Sequence, residues 1–216
     1  MKKEIEREIK ILNINGPELE QRIYELGGTL VLDSMTSMEW FDAMSSTLNI
    51  VQMKKKAESE VLHYACSLIQ EKGVSLKDSG MLLRLRDQNS TFDFTLKNNL
   101  SSSGPVTINN EFSETLTSTE AEEVRKKLSS LGFIKLAFHE KKRKSFLLEI
   151  GKEKVRIDLD TWPLIPQYAE IEGKNTEIIQ RAISLLNLND HETSNLVSHE
   201  FFSKYNLDFF DDQVFN

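Results

Sequence analysis

The sequence predicts an α+β or β-barrel-like chain of eight or nine short, mostly antiparallel strands with two or three helices. Segments in which apolar and charged residues alternate recur along the 216 residues, the period-2 mark of strands with two unlike faces. Two stretches between them carry apolar residues at helical spacing, each stopped by leucine followed by glycine. The connections between alternating segments are short, which favours antiparallel neighbours.

In the first alternating segment Glu4, Glu6, Glu8 and Lys10 share one face, while Ile5, Ile9 and Ile11 lie on the other. Asn15-Gly16-Pro17 breaks this strand, and proline suits the first turn of the helix that follows. Leu19, Ile23 and Leu26 form its core stripe, and Gly27-Gly28 stops it. A strand over 29–32 and a second short one over 38–42 come next. The segment 53–78 is largely polar and reads as an excursion from the sheet, a lid over one end of the fold or a contact between copies.

From Met81 the alternation returns, with Leu83 and Leu85 opposed to Arg84 and Arg86. Phe92, Phe94 and Leu96 oppose Asp93, Thr95 and Lys97, and 101–105 is a loop by composition. Glu111 then falls out of phase with Ile108, Phe112 and Leu116. Thr117 and Glu120 are spaced as a capping box for a helix with Val124, Leu128 and Leu131 on its stripe. Gly132 ends it, so Leu131-Gly132 echoes Leu26-Gly27 and suggests a weak structural repeat.

Lys141 and Arg143 follow at strand spacing, then an apolar strand over 146–150 and a turn at Gly151-Lys152. Lys154, Arg156, Asp158 and Asp160 alternate with Val155, Ile157 and Leu159 in the most regular pattern of the chain. The segment 162–166 is a rigid loop with two prolines. Tyr168, Glu170 and Glu172 close the series, before a helix over 176–186 and a phenylalanine-rich tail; 175–216 reads as a helical extension of a single domain.

With 27 basic against 34 acidic residues, the net charge of -7 excludes a broad footprint for nucleic acid or anionic lipid. A single cysteine, Cys66, rules out an internal disulfide and fits a reducing cytosol. No segment approaches the roughly 20 apolar residues of a membrane span. These features predict a cytoplasmic protein without membrane or nucleic-acid partners. The histidines His63, His139, His191 and His199 are read as surface or structural residues.

Polar strand faces ordinarily meet water. In a closed barrel covered by helices, the apolar faces pack outward and the ionic faces line the interior. Mixed carboxylates and guanidinium or ammonium groups there suit a ligand of two signs, a polyphosphate with divalent cations. Glu6, Glu8, Glu111, Asp158, Glu170 and Glu172 can supply the hard oxygens that Mg2+ or Mn2+ prefers. Arg84, Arg86, Lys97, Lys141 and Arg143 can grip phosphates. Phosphoryl transfer asks for positioning and charge neutralisation more than a covalent nucleophile, and no convincing Ser-His or Cys-His arrangement is present.

Glu6-Arg7-Glu8-Ile9-Lys10 resembles the ExExK signature of the CYTH superfamily, the triphosphate tunnel metalloenzymes, which includes class IV adenylate cyclases and thiamine triphosphatases. Further resemblances follow in family order: Glu39-Trp40-Phe41-Asp42, Leu83-Arg84-Leu85-Arg86, Thr95-Leu96-Lys97, Glu140-Lys141-Lys142-Arg143, the strand 155–158, and Trp162-Pro163 through Glu170-Ile171-Glu172-Gly173, similar to the closing ExE of the cyclase-like branch. The resemblance implies an antiparallel eight-stranded β-barrel tunnel with helices packed outside. It implies metal ligation by Glu6 and Glu8 with Glu170 or Glu172, and Asp158 as a further ligand or orienter. Lys10, Arg84, Arg86, Lys97, Lys141 and Arg143 would bind the triphosphate.

Ser113 stands where many relatives carry a second acid after the Glu111 position, which puts a two-metal arrangement in doubt. Three functions are compatible with these residues. The first is Mg2+- or Mn2+-dependent hydrolysis of a triphosphate such as ATP, tripolyphosphate or thiamine triphosphate. The second is class IV adenylate cyclase activity, making cyclic AMP and pyrophosphate. The third is a noncatalytic polyphosphate-binding module. Lys10 or Lys97 would serve as general base only with a pKa depressed by neighbouring cations. A homodimer is compatible with the sequence.

Overall fold

The computed structural model describes residues 2–49, 59–101 and 106–215. Its strands are β1 (Lys2–Ile11), β2 (Thr29–Asp42), β3 (Met81–Gln88), β4 (Thr91–Ser101), β5 (Thr107–Leu116), β6 (Ile134–Ile150), β7 (Glu153–Trp162), β8 (Ile165–Glu172) and the two-residue β9 (Thr193–Ser194). Five α-helices lie among the described residues: α1 (Gly16–Glu25), α2 (Glu60–Lys72), α3 (Ser118–Leu131), α4 (Thr176–Leu185) and α5 (Ser198–Ser203), with a 3-10 turn at Lys77–Ser79. The positions 102–105 of the expected loop and 53–58 of the expected insertion lie outside the described residues.

Strand order is β5-β4-β3-β2-β6-β7-β8-β1, and β1 also pairs with β5, which closes an eight-stranded antiparallel barrel. The ring is an α+β tunnel fold, as the resemblance implied. Its two halves repeat a plan: a strand, a helix and three further strands, β1-α1-β2-β3-β4 then β5-α3-β6-β7-β8, with α2 inserted in the first. The equivalent strands β1 and β5, and β2 and β6, are neighbours. The Leu-Gly echo has a common cause, because Gly27 and Gly132 both turn the chain out of a helix at positive φ, +84° and +92°.

Two expected breaks are absent. Segments 29–32 and 38–42 belong to one 14-residue strand, since polar Asp33 and Ser34 pair with Lys144 and Arg143 on the 17-residue β6. The expected loop over 162–166 shrinks to Pro163 and Leu164, because Trp162 pairs with Ile165 and Leu164 accepts φ +63°.

The apolar faces point outward, as closure requires. Leu83, Leu85, Phe94, Leu96 and Phe112 pack under Val61, Leu62, Ile69 of α2 and Val124, Leu128 of α3. On the other side Ile9, Ile11, Val155, Ile157, Leu159 and Ile171 pack under Leu19, Ile23 of α1 and Ile179, Ile183 of α4. Each such side chain contributes about 1.5–3 kcal/mol on full burial. These two layers fix the strand phase, since a one-residue slip would bring isoleucines into the lumen and charges under the helices. Thr117 and Glu120 form the expected capping box at α3.

A third cluster closes one end of the barrel: Met38, Trp40, Trp162 and Tyr168 from the strands meet Phe201, Phe202 and Phe209 of the C-terminal segment. That segment is held by backbone. β7 pairs with β6 only from Lys142 onward, and Gln213 takes up the edge before it, donating to Phe138 O at 2.9 Å and accepting from Glu140 N at 2.7 Å. Trp162 is accordingly part of a plug beneath the lumen, tied through Nε1 to the Tyr168 hydroxyl at 2.9 Å.

Candidate functional site

The barrel encloses a cavity of about 530 Å³, and all twelve candidate residues line it: Glu6, Glu8 and Lys10 from β1, Arg84 and Arg86 from β3, Lys97 from β4, Glu111 from β5, Lys141 and Arg143 from β6, Asp158 from β7, Glu170 and Glu172 from β8. Strand phase explains the convergence. Residues two apart share a face, and the outward packing of the intervening isoleucines and leucines leaves that face to the lumen. Lys142 and Lys144 fall in the other phase; Lys144 pairs with Glu20 at 2.8 Å outside the barrel.

The charges form two clusters joined by a lysine. In the first, Lys97 Nζ lies 2.9 Å from Glu6, 3.0 Å from Glu111 and 4.0 Å from Glu8. In the second, Arg143 reaches Asp158, Asp160 and Glu170, each at 2.5 Å. Lys10 spans the two, 3.7 Å from Glu8 and 3.8 Å from Glu170, and donates to the Leu196 carbonyl at 3.3 Å. Arg86 pairs with Asp93 at 2.6 Å. Arg84 differs from all of these. No carboxylate lies within ion-pair distance of it among the described residues, and its Nε, like that of Arg86, is buried without a hydrogen-bond partner.

Burial first, then Glu111 and Glu8, pushes the Glu6 carboxyl up to about 8. Burial and Glu8 likewise raise Glu172 to about 7. Burial also works against the Glu111 carboxylate, but Lys97 and Arg84 outweigh it and bring Glu111 down to about 2. For Glu170 burial is again overcome, by Arg143, Lys141 and Lys10, which hold it well below the usual carboxylate range. Burial tends to lower Lys97, yet Glu8, Glu111 and Glu6 hold it well above the ordinary lysine value. The condition set for Lys97 as a base, depression by neighbouring cations, is therefore not met. Burial and Arg143 instead lower Lys141 to about 8.

Three tunnel cations rest on aromatic faces: Lys10 over Phe201 at 5.8 Å, Arg84 over Trp40 at 5.7 Å and Lys141 over Trp162 at 5.2 Å. The lumen thus has an aromatic floor with cations above it and carboxylates beyond. At the rim, Lys77 sits 3.9 Å over the Phe210 ring, so the turn after α2 meets the C-terminal segment beside the cavity.

Two residues outside the candidate set belong to this network. Asp160 is fully buried and takes Lys141 at 2.8 Å as well as Arg143. Arg156 lines the cavity and donates through Nε to Asp158 at 3.0 Å. Both share the period-2 phase of Asp158, the signal by which they could have been chosen. Ser113 is not among the lining residues. Asn109, two residues before Glu111, lines the cavity and contacts Glu8 at 3.5 Å.

Among the described residues no three acidic, histidine or cysteine side chains are already grouped as a formed metal centre. The donor chemistry nevertheless fits a hard divalent cation. Glu6, Glu8 and Glu111 converge on one ammonium, so three sets of carboxylate oxygens, the donors such a cation takes, already face a single positive charge.

Residues 68–190 match the model of the CYTH domain. No curated protein matches the chain. Among solved structures, a candidate adenylate cyclase from Vibrio parahaemolyticus superposes with a TM-score of 0.57 at 14% identity, covering 92% of this chain and 97% of that one. A candidate adenylyl cyclase from Hippeastrum, described as having a dominant triphosphatase activity, gives 0.56 at 13% identity over 93% and 95%. A Pyrococcus horikoshii protein gives 0.54 at 13% identity over 89% and 96%. At these identities the likeness is one of fold.

Proposed function

The chain belongs to the CYTH domain family, and on that premise we propose that it is a Mg2+- or Mn2+-dependent triphosphatase that opens a terminal phosphoanhydride inside the barrel. The observation that carries this reading is Arg84, a guanidinium in the lumen with an orphaned Nε and no carboxylate partner. A buried guanidinium N–H left without an acceptor is costly, and an anionic ligand would satisfy it. Arg86, Lys97, Lys10 and Lys141 surround the same space. Arg143, saturated by three carboxylates, acts here by ordering Asp158 and Glu170 as well as by its charge.

Glu6, Glu8 and Glu111 would hold the metal, with Asp158, Glu170 and Glu172 across the lumen. When bound, the metal would neutralise phosphate charge and make phosphorus more electrophilic. The protein's own residues fix the phosphates in line and replace their hydration by guanidinium and ammonium donors. Ring positions in the lumen favour hydrolysis over cyclisation, which needs an adenosine held and its 3′ hydroxyl aimed. The faces of Trp40, Trp162 and Phe201 already carry cations. Both indole N–H groups are taken as well, by His139 and Tyr168.

The test incubates the protein with tripolyphosphate, ATP or thiamine triphosphate and Mg2+ or Mn2+, and resolves the products. Orthophosphate release, lost in Glu6→Gln, is expected. Cyclic AMP with pyrophosphate would move the assignment to cyclisation, and saturable binding without turnover would leave a binding module.

A further inference from the structure

We propose that Lys97 is a displaceable counter-ion: its ammonium fills the carboxylate cage of the metal-free protein, and leaves it for the phosphates when a divalent cation enters. This inference rests on the triphosphatase reading for the identity of the two ligands. The cage is built from backbone. Glu111 stands opposite Lys97 in the β4–β5 ladder, and Glu6 and Glu8 come from β1, the strand beyond β5. Lys97 reaches their centre on a flexible four-carbon stem, with distances of 2.9, 3.0 and 4.0 Å.

Other lumen cations are anchored differently. Arg143 is clamped by a rigid fork to three carboxylates, and Lys10 is tied to the Leu196 carbonyl and to the Phe201 face. Among the described residues the polar partners of Lys97 are the three carboxylates alone. A dication needs those same oxygens at roughly 2.0–2.2 Å, within reach of the ammonium they now surround, and like charges at that separation repel strongly. The stem can swing into the lumen, where Arg84 already waits for an anion. Metal entry therefore creates a phosphate ligand, and by reciprocity the triphosphate tightens the metal.

The experiment titrates Mn2+ into wild type, Lys97→Gln and Lys10→Gln without triphosphate, counting free Mn2+ by electron paramagnetic resonance. A parallel calorimetric titration adds tripolyphosphate in EDTA. Lys97→Gln is expected to bind Mn2+ about tenfold or more tightly than wild type, and Lys10→Gln within about threefold of it. Metal-free tripolyphosphate should bind wild type and Lys97→Gln alike, because the caged ammonium is not yet a phosphate ligand. Lys97→Met supplies the comparison where Lys97→Gln fails to melt cooperatively. Unchanged or weaker Mn2+ binding in Lys97→Gln, with wild type binding normally, overturns the inference and leaves the triphosphatase reading standing. Absence of Mn2+ binding in every protein removes both.

Discussion

Trp40 donates its indole N–H to Nδ1 of His139 at 3.0 Å, which fixes the imidazole as the Nε2–H tautomer facing the carbonyls of Phe209 at 2.9 Å and Asp211 at 3.2 Å. One histidine thus joins the barrel wall to the C-terminal plug. A proton on Nδ1 would point at the indole N–H and break that link.

Burial lowers His139 from its usual 6.5 to about 4, against the pull of the two carbonyls. The unfolded chain therefore binds a proton that the folded chain refuses. Stability is full above pH 6.5 and falls as the pH drops towards 4, by up to about 3 kcal/mol. Chemical denaturation of wild type and His139→Gln across this window checks it. The difference between the two curves should narrow as pH falls, and parallel curves would contradict the assignment.

Asp160 is the buried carboxylate on which Lys141 and Arg143 meet. Asp160→Asn keeps the shape and removes the charge, leaving Lys141 without its ion-pair partner beside Arg143, which keeps Asp158 and Glu170. Stability should fall by about 3 kcal/mol. Turnover of tripolyphosphate should suffer mainly through a higher KM, since Lys141 loses its orientation. Steady-state kinetics with a thermal melt separates this from a simple loss of folded enzyme, which would lower kcat alone.

The barrel was legible because its strands obey one rule, apolar residues out and charges in, and because Glu6-Glu8-Lys10, Arg84-Arg86 and Glu170-Glu172 each repeat it at a spacing of two. What escaped was set by partners distant in sequence. Strand β2 reads as broken at Asp33-Ser34, and only pairing with β6 joins its two parts. The roles of Asp160 and Arg143 depend on which cation meets which carboxylate, information that periodicity does not hold. The C-terminal plug was invisible for a similar reason: Phe201, Phe202 and Phe209 have no regular period, and their order comes from His139 and the edge of β6.

Gly132 carries two constraints at once. Its φ is +92°, and a Cβ there would stand 2.4 Å from the Thr47 carbonyl oxygen. Gly27 has φ +84° with nothing within 4 Å of such a Cβ. Gly27→Ala should therefore cost only the left-handed backbone penalty, about 1 kcal/mol, whereas Gly132→Ala should cost at least about 2 kcal/mol more through the displaced 47–48 backbone. Paired urea melts read the gap directly, and equal losses would mean that Thr47 yields freely.

Arg84 poses the sharpest conflict between stability and function. Its Nε is buried without a partner, and burial with the nearby Arg86 lowers its pKa from the ordinary arginine value. The 5.7 Å contact with Trp40 returns about 1 kcal/mol, less than the cost of leaving a charged donor unsatisfied, about 1–3 kcal/mol or more. Arg84→Met fills similar space and removes both the charge and the orphaned donor. The variant should melt at the same temperature as the ligand-free wild type or a few degrees above it, and should lose at least about a hundredfold in tripolyphosphate turnover. Differential scanning calorimetry and product assay on one preparation decide the matter. A variant that is less stable yet still active would show that Arg84 supports the fold and not the phosphates.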